Sequence, residues 1–411
     1  MPVLLSPGSI KKKRAGLSSS SRNWKSSLRV AAMTGSVSHR TPFSDWRTRE
    51  TTEHLLRAIE AETRHLPAAL KLMEVCGTHT MALHRSGLKP RLREAGIELI
   101  SGPGCPVCIT PDYYHEAVID LLTTRNDIIV CTFGDLTRVP TRKGSLQTVV
   151  PQPGSRLKIV YSPEEAVQEA RSQPDKQVIF FGAGFETTIP GITFTVKTAT
   201  ELNLKNYSLL TAFWLIPPAL KAIIESGELA INGFIYPGHV SVIIGEKPYA
   251  FIAEKYHLPG AISGFEPADI LLGVLSVVRQ IRSGKPLVAN EYQRVVKPQG
   301  NPQALALMEK YLSKTPADWR GLGIIPDSGL KLKPDYSAFD ALKKFSLKLK
   351  PGQAGKTACR CGEVLKGLID PGNCPLFGRQ CRPDSPQGPC MVSYEGACLI
   401  EYKFSGAKDH D

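Results

Sequence analysis

Leu70-Lys71-Leu72-Met73-Glu74-Val75-Cys76-Gly77-Thr78-His79-Thr80-Met81-Ala82-Leu83 reads as a strand, a turn and the opening of a helix. The strand runs from Leu70 to Val75, the turn falls at Cys76-Gly77, and the helix continues through Met81 and Leu83. Upstream, residues Thr51 to Leu66 set Leu55, Leu56, Ile59 and Leu66 at helical spacing. Downstream, a second strand, Ile97 to Ile100, runs into Ser101-Gly102-Pro103-Gly104. Thr110 is placed to cap a helix that begins at Pro111 and turns Tyr114, Val118, Leu121 and Leu122 to one side. A third strand follows, Ile128 to Phe133. Strands this apolar, alternating with helices, predict a parallel sheet covered on both faces.

Pro151-Gln152-Pro153-Gly154 punctuates the chain, and a similar order begins again. Ser162-Pro163-Glu164-Glu165 has the form of a capping box. Strand Gln177 to Phe181 leads into Gly182-Ala183-Gly184-Phe185-Glu186-Thr187-Thr188. Strand Ser208 to Phe213 leads to Pro217-Pro218 and a helix, and strand Gly233 to Tyr236 ends at Pro237-Gly238-His239-Val240-Ser241. Helix Pro267 to Arg282 closes this second unit. The expected fold class is therefore α/β, with two similar parallel-sheet, Rossmann-like domains at 48–150 and 151–288. A basic extension precedes them at 1–47. A mixed, loop-rich segment follows at 289–411, and its cysteines suggest an iron–sulfur domain.

The 411 residues are 42% hydrophobic and 22% charged, ordinary for a globular chain with two or three cores. The best apolar run, Ala212 to Ile224, is broken by Pro217, Pro218 and Lys221, so no membrane span is expected. Of the net charge of +13, +8 lies in residues 1–44, which hold eight Lys and Arg and no acid. The rest of the chain is only mildly basic, which argues against a nucleic-acid partner. The leader fits a dispensable disordered extension, a transit peptide, or a start site that belongs at Met33. A cytoplasmic location is expected.

Six of the ten cysteines fall in the last 53 residues: Cys359, Cys361, Cys374, Cys381, Cys390 and Cys398. Four thiolates complete a [4Fe-4S] cluster, and the two left over form a dithiol able to carry two electrons. A zinc site would favour paired C-x2-C sets, and a disulfide scaffold would favour a small secreted protein. Further candidates lie at strand ends, where α/β sheets bind ligands. Cys76 sits near helix amides and the His79 imidazole, both of which favour the thiolate. Cys105 and Cys108 form a C-x-x-C within a Gly/Pro-rich turn, suited to a disulfide or a shared metal. Asp135 lies in the turn Phe133-Gly134-Asp135 after the third strand, while Cys131 within the strand reads as an inert core thiol. Glu186 and His239 occupy the matching turns of the second unit and could handle protons or hydrogen-bond a ligand.

Cys-Gly-Thr-His-Thr (76–80), Gly-Pro-Gly-Cys-Pro-Val-Cys (102–108), Gly-Phe-Glu-Thr-Thr (184–188) and Pro-Gly-His-Val-Ser (237–241) resemble the motifs of the HypD family of hydrogenase maturation factors. So does the tail from Cys-Gly-Glu-Val-Leu-Lys-Gly (361–367) to Gly-Pro-Cys-Met-Val-Ser-x-Glu-Gly-x-Cys (388–398). The resemblance spans about Thr48 to Tyr402. It implies a scaffold for assembling the Fe(CN)2CO centre of [NiFe]-hydrogenases, with a HypC-like partner that shares the iron and a HypE-like partner that supplies cyanide. It makes Cys76 the iron-binding thiolate and Cys105/Cys108 a redox pair. The tail is similar to the cluster region of ferredoxin:thioredoxin reductase. That analogy assigns Cys359, Cys374, Cys381 and Cys398 to a [4Fe-4S] cluster and Cys361 with Cys390 to the adjacent dithiol, with Cys359 and Cys361 interchangeable. A stand-alone cluster-dependent thiol–disulfide reductase is the alternative, but it leaves Cys76, His79, Glu186 and His239 without a role. A zinc-dependent adaptor would leave the redox pairs unused.

Overall fold

The computed structural model describes residues 48–150, 156–228, 230–349 and 358–404; the basic extension at 1–47 and the Pro151–Gly154 punctuation lie outside these. Among the described residues eleven strands follow in chain order: β1 (Leu70–Glu74), β2 (Ile97–Ser101), β3 (Ile128–Thr132), β4 (Leu157–Ile159), β5 (Gln177–Gly184), β6 (Tyr207–Trp214), β7 (Gly233–Pro237), β8 (Gly260–Ser263), β9 (Val288–Asn290), β10 (Leu312–Trp319) and β11 (Gly323–Leu332). Sheet A has the order β2-β1-β7-β8-β9 and is parallel throughout. Sheet B has the order β10-β11-β6-β5-β3-β4. It is parallel from β6 to β4 and antiparallel where the β10–β11 hairpin joins.

The architecture is α/β as expected, but the two sheets are not consecutive segments. Strand β3 leaves β1 and β2 to pair with β5, and β7 leaves β5 and β6 to pair with β1. Each expected unit thus gives its third strand to the other, and the boundary at 150 separates no sheets. An all-buried strand such as Ile128-Ile129-Val130-Cys131-Thr132 fits either sheet, so its local pattern does not choose. The region after 289 is corrected as well. Its hairpin, which the local sequence pattern does not reveal, completes sheet B, and the cysteine-bearing stretch from 358 adds no strand to either sheet.

Alternation along the strands builds three apolar layers. Leu70 and Leu72 point to one side of sheet A, where helices α1 (Arg49–Thr63) and α6 (Pro267–Ser283) cover them with Leu56, Ile59, Ile270 and Val274. Ile129 and Cys131 face the outer layer of sheet B. Between the sheets, Met73, Val75, Val130, Phe181, Phe234 and Tyr236 share one core with Val364, Cys390, Met391 and Leu399. Each fully buried side chain of this size contributes roughly 1.5–3 kcal/mol. The cysteine segment is therefore seated in the layer that joins the sheets.

Candidate metal and redox centre

Helix α2 (Gly77–Arg85) starts directly after Cys76, whose extended backbone is the last non-helical residue. Its first turn aims the N–H groups of Thr78 and His79 at the Cys76 sulfur, as the sequence suggests. Burial, together with the Glu395 and Glu74 carboxyls, nevertheless pushes the thiol up to about 12. The expected helix-stabilised thiolate is corrected accordingly: desolvation exceeds the pull of the amides. The imidazole does not help either, because His79 Nε2 bonds Gly264 O at 2.9 Å and burial lowers its pKa to about 4. Glu74 accepts from Cys76 N at 3.0 Å and from the Thr80 hydroxyl, beneath the turn.

Cys105 and Cys108 form a disulfide, with Cys105 immediately before helix α3 (Pro106–Ile109). The preceding glycine is dictated by contact: a Cβ on Gly104 would lie 2.4 Å from Cys76 N. The loop thus rests on the Cys76 backbone. Thr110 does not cap the next helix, α4 (Asp112–Thr124), as expected. Its hydroxyl turns back to Pro106 O at 2.7 Å.

All six C-terminal cysteines line one cavity with Val364, Phe377, Gly388 and Met391, and no His, Asp or Glu lines it. Cys361 Sγ and Cys390 Sγ are 2.8 Å apart. Gln387 N donates to Cys381 Sγ at 3.3 Å, and a Cβ on Gly388 would lie 2.7 Å from Cys359 Sγ. Cys361 is drawn well below the usual thiol range by hydrogen bonds from Cys359 and Cys390 and by the Arg320 guanidinium.

One loop, 389–396, ties this cavity to the strand-end turns. Pro389 O lies 4.0 Å from Cys108 Sγ. Val392 O accepts from Arg138 at 3.2 Å, and Tyr394 N donates to Asp135 at 3.1 Å. Glu395 receives the Thr78 hydroxyl at 3.4 Å, and its backbone fills the space a Cβ on Gly77 would need. Cys76, the Cys105–Cys108 disulfide, Asp135 and the cysteine segment are therefore brought together. Cys131 is not; it is buried in sheet B with its thiol pushed up to about 12.

Glu186 and His239 lie to the sides of this arrangement. Both Glu186 oxygens accept from Ile216 N, at 3.0 and 3.3 Å, at the start of helix α5 (Ile216–Ser226). Burial raises its carboxyl to about 8. It forms part of the wall of a separate cavity of about 850 Å3 with Pro217, Lys221, Phe251 and Met308. Tyr249, buried and stacked on Tyr236 at 4.3 Å, is within electrostatic reach of both Glu186 and Cys76. His239, exposed at one face, stacks the other on Phe265 at 3.9 Å; His79 meets the same ring at 4.8 Å.

The HypD family model, described as the hydrogenase formation hypA family, matches residues 50–405 of this chain. The chain belongs to the HypD family. The hydrogenase maturation factor HypD of Rhizobium leguminosarum bv. viciae is 41% identical over 339 residues, covering 81% of this chain and 87% of that protein. HypD of Escherichia coli (strain K12) is 39% identical over 366 residues, covering 88% and 97%. HypD of Cupriavidus necator is 37% identical over 372 residues, covering 89% and 97%. The chain is thus a hydrogenase maturation factor of the HypD type. Among its described residues no helix is long and apolar enough to cross a membrane.

Within this HypD-type site, sequence reasoning gave no role to Arg138, Tyr249, Arg320 and Glu395. Glu395 lies inside a motif used for the resemblance, but nothing in the motif says that it sits over Cys76. Arg320 stands in Trp319-Arg320-Gly321, whose glycine at positive φ marked a turn tip.

Proposed function

We propose that this protein is the scaffold on which the Fe(CN)2CO iron of [NiFe]-hydrogenases is assembled, with electrons delivered to that site from the C-terminal cysteine segment. The observation that carries the reading is the loop 389–396, which runs from the six-cysteine cavity past Cys108 to the turn at Cys76. Cys76 holds the iron, which is cargo and not a resident cofactor. Its thiol is protonated at neutral pH, so taking up the metal releases a proton.

The donors around the cavity fit a [4Fe-4S] cluster held by Cys359, Cys374, Cys381 and Cys398. The lining is sulfur and apolar atoms, and backbone N–H groups point at sulfur. When bound, the cluster would supply single electrons to the neighbouring thiols. Cys361 and Cys390 form the dithiol, in contact and ready to close, and they reduce the Cys105–Cys108 disulfide by exchange. A HypC-like partner sharing the iron and a HypE-like partner donating cyanide complete the assembly. We place this work in the cytoplasm, where thiols are kept reduced.

The test is anaerobic purification of the full chain with a HypC-like partner, followed by infrared spectroscopy and iron and sulfide analysis. Bound cyanide and carbon monoxide bands are expected, and Cys76→Ala loses them while keeping the visible absorption of the tail. Ala at Cys359, Cys374, Cys381 or Cys398 abolishes that absorption. Retention of the infrared bands in Cys76→Ala sinks the scaffold reading and leaves the stand-alone reductase. Loss of the visible absorption in Cys361→Ala but not in Cys359→Ala would swap those two roles.

A further inference from the structure

We infer that Arg320, at the tip of the β10–β11 hairpin, is a positioning residue that holds the Cys105–Cys108 loop against the Cys361/Cys390 pair for direct exchange. The inference rests on the relay proposed above. Its evidence is a set of contacts made from one turn to both sulfur pairs. On the disulfide side, Arg320 N donates to Ile109 O at 2.9 Å, and the guanidinium donates to Thr110 O at 2.8 and 3.3 Å and pairs with Asp112. These three residues lie within four positions after Cys108. Asp318, two residues earlier in the hairpin, receives the Tyr113 hydroxyl at 3.2 Å.

On the dithiol side, the contact is backbone to backbone. Gly321, at φ +85°, lies on Gly362, next to Cys361; a Cβ on Gly321 would come within 2.5 Å of the Gly362 Cα. The guanidinium itself lies within electrostatic reach of both Cys361 and Cys390. Trp319, fully buried and bonded through Nε1 to Ser328 Oγ at 2.9 Å, roots the turn in the core. Arg320 is suited to this clamp because its planar fork presents donors to a carbonyl and a carboxylate in a fixed geometry, which the flexible ammonium of Lys does not.

The exchange it serves balances without an outside reductant. A thiolate of the Cys361/Cys390 pair attacks one sulfur of the Cys105–Cys108 disulfide. That S–S bond breaks, and the released cysteine takes up the proton given up by the attacking thiol. The second thiol of the pair then displaces the mixed disulfide, gives its proton to the second released cysteine and closes the Cys361–Cys390 bond. Two electrons and two protons have moved. Holding the partners in place makes the step intramolecular, where effective concentration and not collision sets the rate.

The test uses the full-length holoprotein, reduced at the Cys361/Cys390 pair and trapped at intervals with acid and an alkylating agent, the four cysteines being read by mass spectrometry. Arg320→Gln is expected to slow pair-to-pair transfer at least tenfold, while external dithiothreitol reduces Cys105–Cys108 at the unaltered rate. A merely structural loosening would change both. Arg320→Lys, with the charge but not the fork, remains at least threefold slow. Gly321→Ala slows transfer with every charge in place, and it serves where Arg320→Gln does not fold. Unchanged transfer in both Arg320→Gln and Gly321→Ala overturns the inference, as does equal slowing with dithiothreitol. If the unmodified protein shows no transfer, the relay itself fails and the role of Arg320 falls with it; transfer that ignores the variants removes Arg320 alone.

Discussion

Cys76 and the Cys361/Cys390 pair are buried thiols at the same central layer, yet their neighbours are opposite in kind. Around Cys76 stand two carboxyls, Glu74 and Glu395, each itself raised by burial. The cavity at Cys361 and Cys390 has no carboxyl in its lining, other sulfurs share hydrogen bonds, and a guanidinium is held close. The first environment keeps a proton on sulfur until something stronger displaces it. The second splits the pair: Cys361 is drawn below the usual thiol range while Cys390, hydrogen-bonded to Cys361 and Cys398 and buried, is pushed well above it. Thiol burial alone therefore does not set reactivity here; the second group in the neighbourhood does.

Steric variants break this comparison with the largest effect, because each site depends on one glycine. Gly77→Val places a Cβ within 2.3 Å of Glu395 O and should cost about 1–3 kcal/mol, seen as a lower melting temperature. It should also expose Cys76 to alkylation while the visible absorption of the tail survives. Gly388→Val presses on Cys359 Sγ and should do the reverse. Simultaneous loss of both signals in either variant would show that the two sites form one cooperative unit.

A middle-sized effect concerns Glu186, which faces Tyr249 as Cys76 does. Its folded-state pKa of about 8 lies above the ordinary 4.5. The folded state therefore binds the extra proton more tightly. Stability contributed by this group is greatest below pH 4.5 and falls as pH rises towards 8. Glu186→Gln should flatten the fall in melting temperature between pH 5 and 8, by up to a few kcal/mol on the energy scale. An unchanged pH profile would show that the Ile216 amide already compensates the charge.

The smallest effect sharpens the electrostatic side. Glu395→Gln removes a carboxylate that raises the Cys76 thiol, so the alkylation of Cys76 between pH 8 and 10 should speed up by roughly two- to fivefold. The same variant should leave Cys390 alkylation unaltered. Slower Cys76 alkylation would mean that Glu395 acts by opening the site and not by its charge.

What could be read from the chain follows the range of the interactions involved. The strands around Cys76, Cys105 and Glu186 were legible because apolar runs ending in Gly-rich turns are local patterns. The hairpin at 312–332 was not, since its exposed strand alternates irregularly and carries Pro316 and Pro326. The cysteine roster named the candidates, but the pairing of Cys361 with Cys390 across 29 residues rested on resemblance. The state of the Cys76 thiol is not legible in its motif because it is set first by burial and then by Glu395, over three hundred residues away in the chain. Exchange of β3 and β7 between sheets was invisible for the same reason.

That exchange has a consequence for how the protein comes into being on the ribosome. Lys71 at the head of β1 waits for Asn232, 161 residues later, before its neighbouring strand exists. At about 5–20 residues per second this is an interval of roughly 10–30 s, during which the strand end bearing Cys76 has only β2 beside it. Sheet B in turn cannot be completed until the hairpin at 312–332 has emerged. Contacts this distant slow folding and leave apolar edges open meanwhile. A nascent chain of this kind has reason to meet a chaperone. Until the last strands and the loop at 389–396 arrive, the early thiols lack their carboxyl and guanidinium neighbours, so the topology itself orders the events: synthesis first, a finished site last.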